Sequence, residues 1–291
     1  MRTLQVTPSL RARRRPTRTA RGAQWPLHVA LIALTMLTLY PFLFMIFTSF
    51  KDNGQFYNSF WGVSWPLHLD NYGDAFGAVA PYMWNSVVVT AVSVVGTVVI
   101  VVPPSYAFAR FAFALRETLF YLIIMLLFIP GLLTLVPLFL EVKALHLLDT
   151  RWALILPYIA GSQVIGILIL RSFFAAQPGE LYEAAEMDGA GDVAKMLRIG
   201  VPLALPVIGT IAIFTGLNVW GDYLWPLVAL PSQQNWTMPL GLVNFQSTYA
   251  SQQLWGPLFA GFVIAALPMV VLFLALMDRF IKGLTEGALK A

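Results

Sequence analysis

Six apolar stretches, at 27–50, 85–109, 118–140, 152–170, 203–230 and 255–277, are free of charge except for Asp222 in the fifth. Crossing a bilayer takes about 20 apolar residues, and every backbone N–H and C=O must then be bonded within the segment. The chain is therefore expected to be all-α, a polytopic membrane protein with six transmembrane helices. Composition agrees, since 58% of the 291 residues are hydrophobic and only 11% are charged. A mean hydropathy of +0.74 is too high for a domain that must cover itself in water.

The basic residues set the expected orientation. With the N-terminus in the cytoplasm, all 18 lysines and arginines fall on that side except Lys51, Lys143 and Arg151. This satisfies the bias of cytoplasmic loops toward positive charge and puts both termini inside. The expected layout is an Arg-rich cytoplasmic tail over 1–25, a six-helix transmembrane domain over 26–280 with a long cytoplasmic loop at 176–202, and a cytoplasmic tail over 281–291. The tail arginines suit anionic lipid headgroups. No small-residue cleavage site follows the first apolar run, so it reads as a retained span rather than a signal peptide. Prolines such as Pro41, Pro103, Pro130, Pro157, Pro206 and Pro268 lie inside or beside the spans and favour kinks.

Loop 176–202 is far longer than a turn between spans requires. Its sequence predicts a short helix from Pro178, with Glu180, Glu183 and Glu186 at three-residue spacing and small apolar Ala184 and Ala185 on another side. Gly189 is a helix stop, and Asp192 reads as the N-cap of a second short helix ending near Lys195 and Arg198. The order Glu183-Ala184-Ala185, three residues, Gly189, nine residues, Ile199, Gly200, Val201, Pro202 resembles the signature loop of the membrane subunits of bacterial binding-protein-dependent ABC importers. Four further segments resemble the carbohydrate-uptake branch, and within it the maltose-type second permease. They are Asp149-Thr150 with 152–158, Met187-Asp188-Gly189-Ala190, Trp220 to Leu227, and the tail from Gly283 to Lys290. Val201 stands where the family usually has leucine and Gly221 where it often has asparagine.

The resemblance implies the type I ABC importer permease fold in a bacterial inner membrane. It implies that Glu183, Ala184, Ala185, Asp188 and Gly189 form a coupling helix that docks on a cytoplasmic ABC ATPase dimer. A second, homologous permease would complete the pathway and an extracytoplasmic solute-binding protein would deliver a sugar or oligosaccharide. The outer connections 51–84 and 231–254 would face that protein. ATP and magnesium would bind the ATPase. This chain would need no cofactor, and no nucleic-acid partner is expected. Residues 256–261 have the glycine spacing of a phosphate loop, but Phe262 and Val263 stand where Lys and Ser or Thr are required.

Asp222 is the outstanding intramembrane charge, and such a carboxylate needs a cavity or a polar partner. With Asn218, Tyr223 and Trp225 it forms a candidate solute pathway, because sugars require aromatic faces beside hydrogen-bonding groups. It could equally pair with a neighbouring helix or cap a break in the backbone. Asn85 and Tyr106 either line the pathway or make interhelical hydrogen bonds, and the second reading is preferred. A different class of function is a self-sufficient secondary transporter with Asp222 as its proton or sodium site, but such proteins have more spans or an internal repeat. No cysteine is present, and His28, His68 and His146 are far apart, so thiol and metal chemistry find no support. No paired carboxylates or nucleophile–base set emerges for a membrane enzyme.

Overall fold

The computed structural model describes residues 25–288; the Arg-rich stretch 1–24 and residues 289–291 lie outside the described residues. No β-strand occurs among the described residues. The helices are α1 (Trp25–Ser49), α2 (Asn53–Asn58), α3 (Asp70–Arg110), α4 (Arg116–Met125), α5 (Gly131–Ala144), α6 (Trp152–Ala176), α7 (Gly179–Met187), α8 (Asp192–Lys195), α9 (Val201–Gly221), α10 (Leu224–Ala229), α11 (Met238–Ser251) and α12 (Trp255–Ala288). Five helical segments are long and apolar enough to cross a membrane, α8 and α9 counting as one continuous rod, 192–221.

The sixth expected span, 118–140, is not straight. The run from Arg116 to Phe128 and the following α5 meet at an angle of 100°. Pro130 is the cause: it forces Ile129 out of the helical region (ψ 113°) and itself sits at ψ 128° as the N-cap of α5. The first span, α1, leaves its apolar surface uncovered in the isolated chain. It is tied down at its C-terminal end, where Thr48 and Ser49 are buried and Phe44 meets Phe259 edge-on at 5.6 Å.

Helix α3 begins fifteen residues before the expected start at Asn85. Its first four turns are too polar for a hydropathy window, yet Asn71, Ala75, Val79 and Tyr82 recur at helical spacing on one buried face. That face packs on α11 and α12, with Met238, Phe245, Leu258 and Ala260 in the same core. Connection 231–254 is accordingly mostly helix α11, seated by close approaches at glycine. A Cβ on Gly241 would lie 2.3 Å from the Tyr82 ring, and one on Gly261 2.3 Å from Phe245. Deeper in the bundle α3 and α6 approach through Gly96 against Ile159 and Gly166 against Val101. Lipid tails are as apolar as leucine, so such van der Waals closeness, rather than water exclusion, holds spans together.

Two cations that depart from the positive-inside pattern are built into the fold. The Lys51 ammonium is buried and donates to the Ser59 and Phe60 carbonyls at 2.6 and 3.0 Å, past the end of α2; burial holds it below the usual lysine range. Arg151 donates from Nε and Nη2 to Asn85 Oδ1 at 3.2 and 2.9 Å. The Asn85 amide nitrogen in turn donates to the Gln234 and Trp236 carbonyls at 2.9 and 3.1 Å. Asn85 thus ties α3 to the residue before α6 and to the connection before α11, rather than bonding one span to another as expected. Tyr106 packs instead, edge-on to Phe174 at 5.5 Å.

Candidate functional site

Two polar features interrupt the bundle: the short helix α7 at one end and the break between α9 and α10 within it. Pro178 is the N-cap of α7 rather than a first-turn residue and makes no side-chain cap bond, while Glu180 lies in the first turn, where its charge complements the helix dipole. At the other end Gly189 adopts φ +80°, a left-handed conformation that L side chains resist. It donates to Glu186 O at 2.9 Å while Ala190 donates to Ala185 O at 2.9 Å, the paired bonds of a Schellman cap. Glu183 and Ala184 are exposed, Ala185 is half-buried, and Asp188 and Gly189 are exposed. The Glu-Ala-Ala face is therefore open to another surface.

Asp192 is not the N-cap of the second helix; Gly191 is. Asp192 occupies the first turn, where its carboxylate complements the dipole and meets Lys195 at 2.9 Å, while Lys195 also reaches Glu186 at 3.1 Å. This second helix does not stop at Arg198. It passes through a π-turn, Met196–Gly200, directly into α9. The wider turn lies just before Pro202, which has no N–H to donate, so the helix continues without a clean i→i−4 ladder. Beside the junction of α7 and α8 lies a cavity of about 400 Å³, lined by Ala185, Asp188, Gly189, Lys195 and Arg198 among others.

Sequence reasoning missed what fixes α7 to the bundle. Its one buried side chain is Tyr182, whose hydroxyl donates to Gln177 Oε1. Gln177 Nε2 donates to Gly200 O at 3.2 Å, and Arg110 Nη2 donates to Gln177 O at 2.7 Å. The Arg110 guanidinium also stands 4.0 Å from the centre of the Tyr182 ring. Burial pushes the Tyr182 phenol above its ordinary pKa, against the opposing effect of Arg110. The available sequence signal was the apolar spacing around the Glu-Ala-Ala run, with Tyr182 on the side opposite Ala184.

The second feature begins where α9 ends at Gly221. Asp222 is extended at ψ 126°, and its Oδ1 accepts from the backbone N–H of Leu224 at 3.0 Å and of Trp225 at 3.4 Å, starting α10. Its Oδ2 accepts from the Tyr158 hydroxyl at 2.8 Å. The carboxylate thus both caps a backbone break and pairs with α6. Asn218, exposed, spends its amide on Phe214 O at 2.8 Å. Tyr223 is exposed, whereas Trp225 is buried with Nε1 donating to Ala153 O at 3.0 Å.

Three cavities follow this seam. One of about 330 Å³ is lined by Thr134, Pro157, Tyr158, Asp222 and Trp225 among others. A second of about 460 Å³ is lined by Tyr158, Ser162, Asn218, Gly221 and Asp222 among others. A third of about 40 Å³ continues past Ser162 and Asn218 to Thr215. Asp222 and Asn218 share the second cavity, while Trp220 faces an apolar cavity beside Pro268. Tyr158 and Ser162, one turn apart on α6, are seam residues that sequence reasoning did not single out; an i, i+4 polar pair on an otherwise apolar span was the signal.

Residues 102–286 match the model of the family described as binding-protein-dependent transport system inner membrane component. A probable ABC transporter permease protein of Bacillus subtilis, YurM, is 34% identical over 254 residues, covering 86% of this chain and 83% of that protein. The diacetylchitobiose uptake system permease protein NgcG of Streptomyces coelicolor is 29% identical over 265 residues, covering 90% and 88%. The arabinooligosaccharides transport system permease protein AraQ of Halalkalibacterium halodurans is 32% identical over 274 residues, covering 91% and 96%. A chain from the crystal structure of a bacterial ABC transporter involved in the import of the acidic polysaccharide alginate superposes with a TM-score of 0.77 at 20% identity, covering 94% of this chain and 100% of that one. That likeness bears on the fold, which is that of an ABC importer permease.

Proposed function

This chain belongs to the family of binding-protein-dependent transport system inner membrane components, and from that premise we propose that it is one of two permease subunits of an ATP-driven importer for a sugar or oligosaccharide. The solute class rests on the relatives named for diacetylchitobiose and arabinooligosaccharide transport. The observation that carries the ATP-driven part is the exposed Glu-Ala-Ala face of α7, which is capped at its C-terminal end by Gly189 and fixed to the bundle through Tyr182. A capped helix presented this way suits docking into a groove of a separate ATPase, through Glu183, Ala184, Ala185, Asp188 and Gly189. ATP binding and release would move α7, and the spans joined to it would reorient.

The seam of Tyr158, Ser162, Asn218 and Asp222 is the wall this subunit offers to the solute. Its hydroxyl, amide and carboxylate groups match the hydroxyls of a sugar, with Tyr223 exposed nearby. Trp225 supports that wall from behind, since its ring is buried and its N–H is already committed. Both termini and α7 face the cytoplasm in this reading, and the α2 and α11 side meets a solute-binding protein. The reading of Asp222 as a proton or sodium site has less support, because both of its oxygens accept hydrogen bonds within the chain.

Uptake of labelled oligosaccharide in cells whose partner ATPase carries a hydrolysis-disabling substitution tests this. Loss of uptake is the expected result; uptake that persists with the ATPase inactive overturns it.

A further inference from the structure

Helix α7 has nine residues, too few to hold a direction by itself in water. Covalent links join it to α6 before and α8 after, but its neighbouring residues there include Gly179, Gly189 and Gly191. What fixes its direction is the cluster beneath it. Tyr182 projects from α7 into the ends of three membrane helices: Arg110 is the last residue of α3, Gln177 the C-cap of α6, and Gly200 the end of the π-turn that leads into α9. Phe174 and Tyr106 complete the walls, both buried. The fit is tight at Gly200, where a Cβ would lie 3.1 Å from the Tyr182 oxygen, 3.3 Å from Phe174 and 3.4 Å from Tyr106.

We propose that Tyr182 is a positioning residue for energy coupling: its hydrogen bond to Gln177 and its stacking on Arg110 lock α7 to the ends of α3, α6 and α9, so that a displacement of α7 reaches all three together. This rests on the reading of α7 as the ATPase-coupling helix. The chemistry of the cluster fits a joint rather than a core plug. A buried phenol with a partner gives direction as well as packing, because its hydrogen bond has a preferred angle. The Gln177 side chain is used at both ends, accepting from Tyr182 and donating to Gly200 O, while its backbone carbonyl takes Arg110. Removing the Tyr182 hydroxyl therefore breaks the relay at its first step yet keeps the ring over which Arg110 sits.

The test compares wild type, Tyr182→Phe, Gln177→Ala and the double variant in the assembled transporter reconstituted with its ATPase and binding protein. The readout is solute transported per ATP hydrolysed, beside thermal stability and ATPase co-purification. Tyr182→Phe is expected to co-purify the ATPase and melt close to wild type, with transport per ATP lowered about fivefold, the factor that one neutral hydrogen bond is worth. The double variant is expected to be no worse than Gln177→Ala, since both substitutions open one relay. An unchanged transport-to-hydrolysis ratio overturns the proposal, and so does additive damage. Loss of the ATPase from Tyr182→Phe also overturns it, because the residue would then act in docking.

A second measurement is independent of turnover. The chain has no cysteine, so spin labels at Met187→Cys, 89% exposed, and Phe113→Cys, three residues past the end of α3, report the distance between α7 and the α3–α4 connection alone. The distance distribution is expected to be narrow in the parent and broad with Tyr182→Phe. Equal widths would show that Tyr182 does not hold α7. If the wild-type chain recruits no ATPase at all, the coupling reading of α7 fails first, and the spin-label result then concerns the fold only.

Discussion

Replacing Asp222 separates a carboxylate that organises the backbone from one that carries an ion. The side chain accepts three hydrogen bonds, from Tyr158 at 2.8 Å, Leu224 N at 3.0 Å and Trp225 N at 3.4 Å. In Asp222→Asn the amide oxygen still faces the two N–H groups, and the NH₂ turns to the Tyr158 oxygen, which can accept. Charge assistance is lost from each bond and the Tyr158 O–H turns to the adjoining cavity, but the desolvation cost of the carboxylate disappears as well, so the net cost is about 1 kcal/mol. In Asp222→Leu the size is similar, but all three donors lose their acceptor; the Leu224 N–H is exposed to solvent, while the Tyr158 hydroxyl and the Trp225 N–H are partly buried. At about 1–3 kcal/mol for each of the two partly buried groups, the loss comes to about 2–6 kcal/mol, at its upper end the whole margin of a typical fold. Thermal melting in detergent and ATP-dependent uptake in cells are the paired assays. Asp222→Asn is expected to melt about 3 °C lower and still transport, whereas Asp222→Leu fails to accumulate or melts far below wild type. The reasoning is refuted if Asn is as destabilising as Leu. It is equally refuted if Asn melts normally and transports nothing, for then the charge itself does the work.

Three further substitutions probe the scaffold. Asn85→Leu removes the acceptor of Arg151 and the donor to Gln234 and Trp236, and is expected to lower stability by about 2–4 kcal/mol, read as a fall in melting temperature. Gly241→Ala places a methyl 2.3 Å from the Tyr82 ring, so about 1–3 kcal/mol of overpacking should appear in the same assay and be relieved by Tyr82→Ala. Gly189→Ala meets the left-handed conformation at φ +80° and is expected to cost about 1–2 kcal/mol locally. Its signature is amide exchange in α7 faster by about 5–30-fold with the melting temperature of the bundle unchanged.

Legibility in the sequence followed the strength of each local signal. Charge-free runs located the spans, because lipid enforces a length and a polarity that few other structures satisfy. Glu183 to Gly189 was readable as a capped helix because its cap depends on one glycine. Other features depend on tertiary contacts and left a weaker trace. The first four turns of α3 are amphipathic, so only their helical spacing, not their hydropathy, reveals them. The 100° break at Pro130 was one proline among several in the spans, and the Pro130-Gly131 pair that sets it apart was not singled out. The continuous rod through Met196–Gly200 contradicts the expected stop before Pro202, since a π-turn absorbs the missing donor that would end an ordinary helix. At the seam, Asp222 stood out as a charge, but its partner Tyr158 lies sixty-four positions away and only folding brings them together. The same holds for Arg110 and Gly200, which folding brings to the local pair Gln177 and Tyr182.

The central claim is that α7 joins this permease to an ATPase, and the most direct measurement is affinity purification of the tagged chain from native membranes in mild detergent, beside Glu183→Lys. Glu183 is exposed and makes no bond that holds the fold, so the variant should remain folded. Mass spectrometry is expected to find an ATPase and a second permease with the wild-type chain, and the second permease without the ATPase in the variant. Wild-type chain that purifies alone while its membranes still transport the solute would contradict the claim.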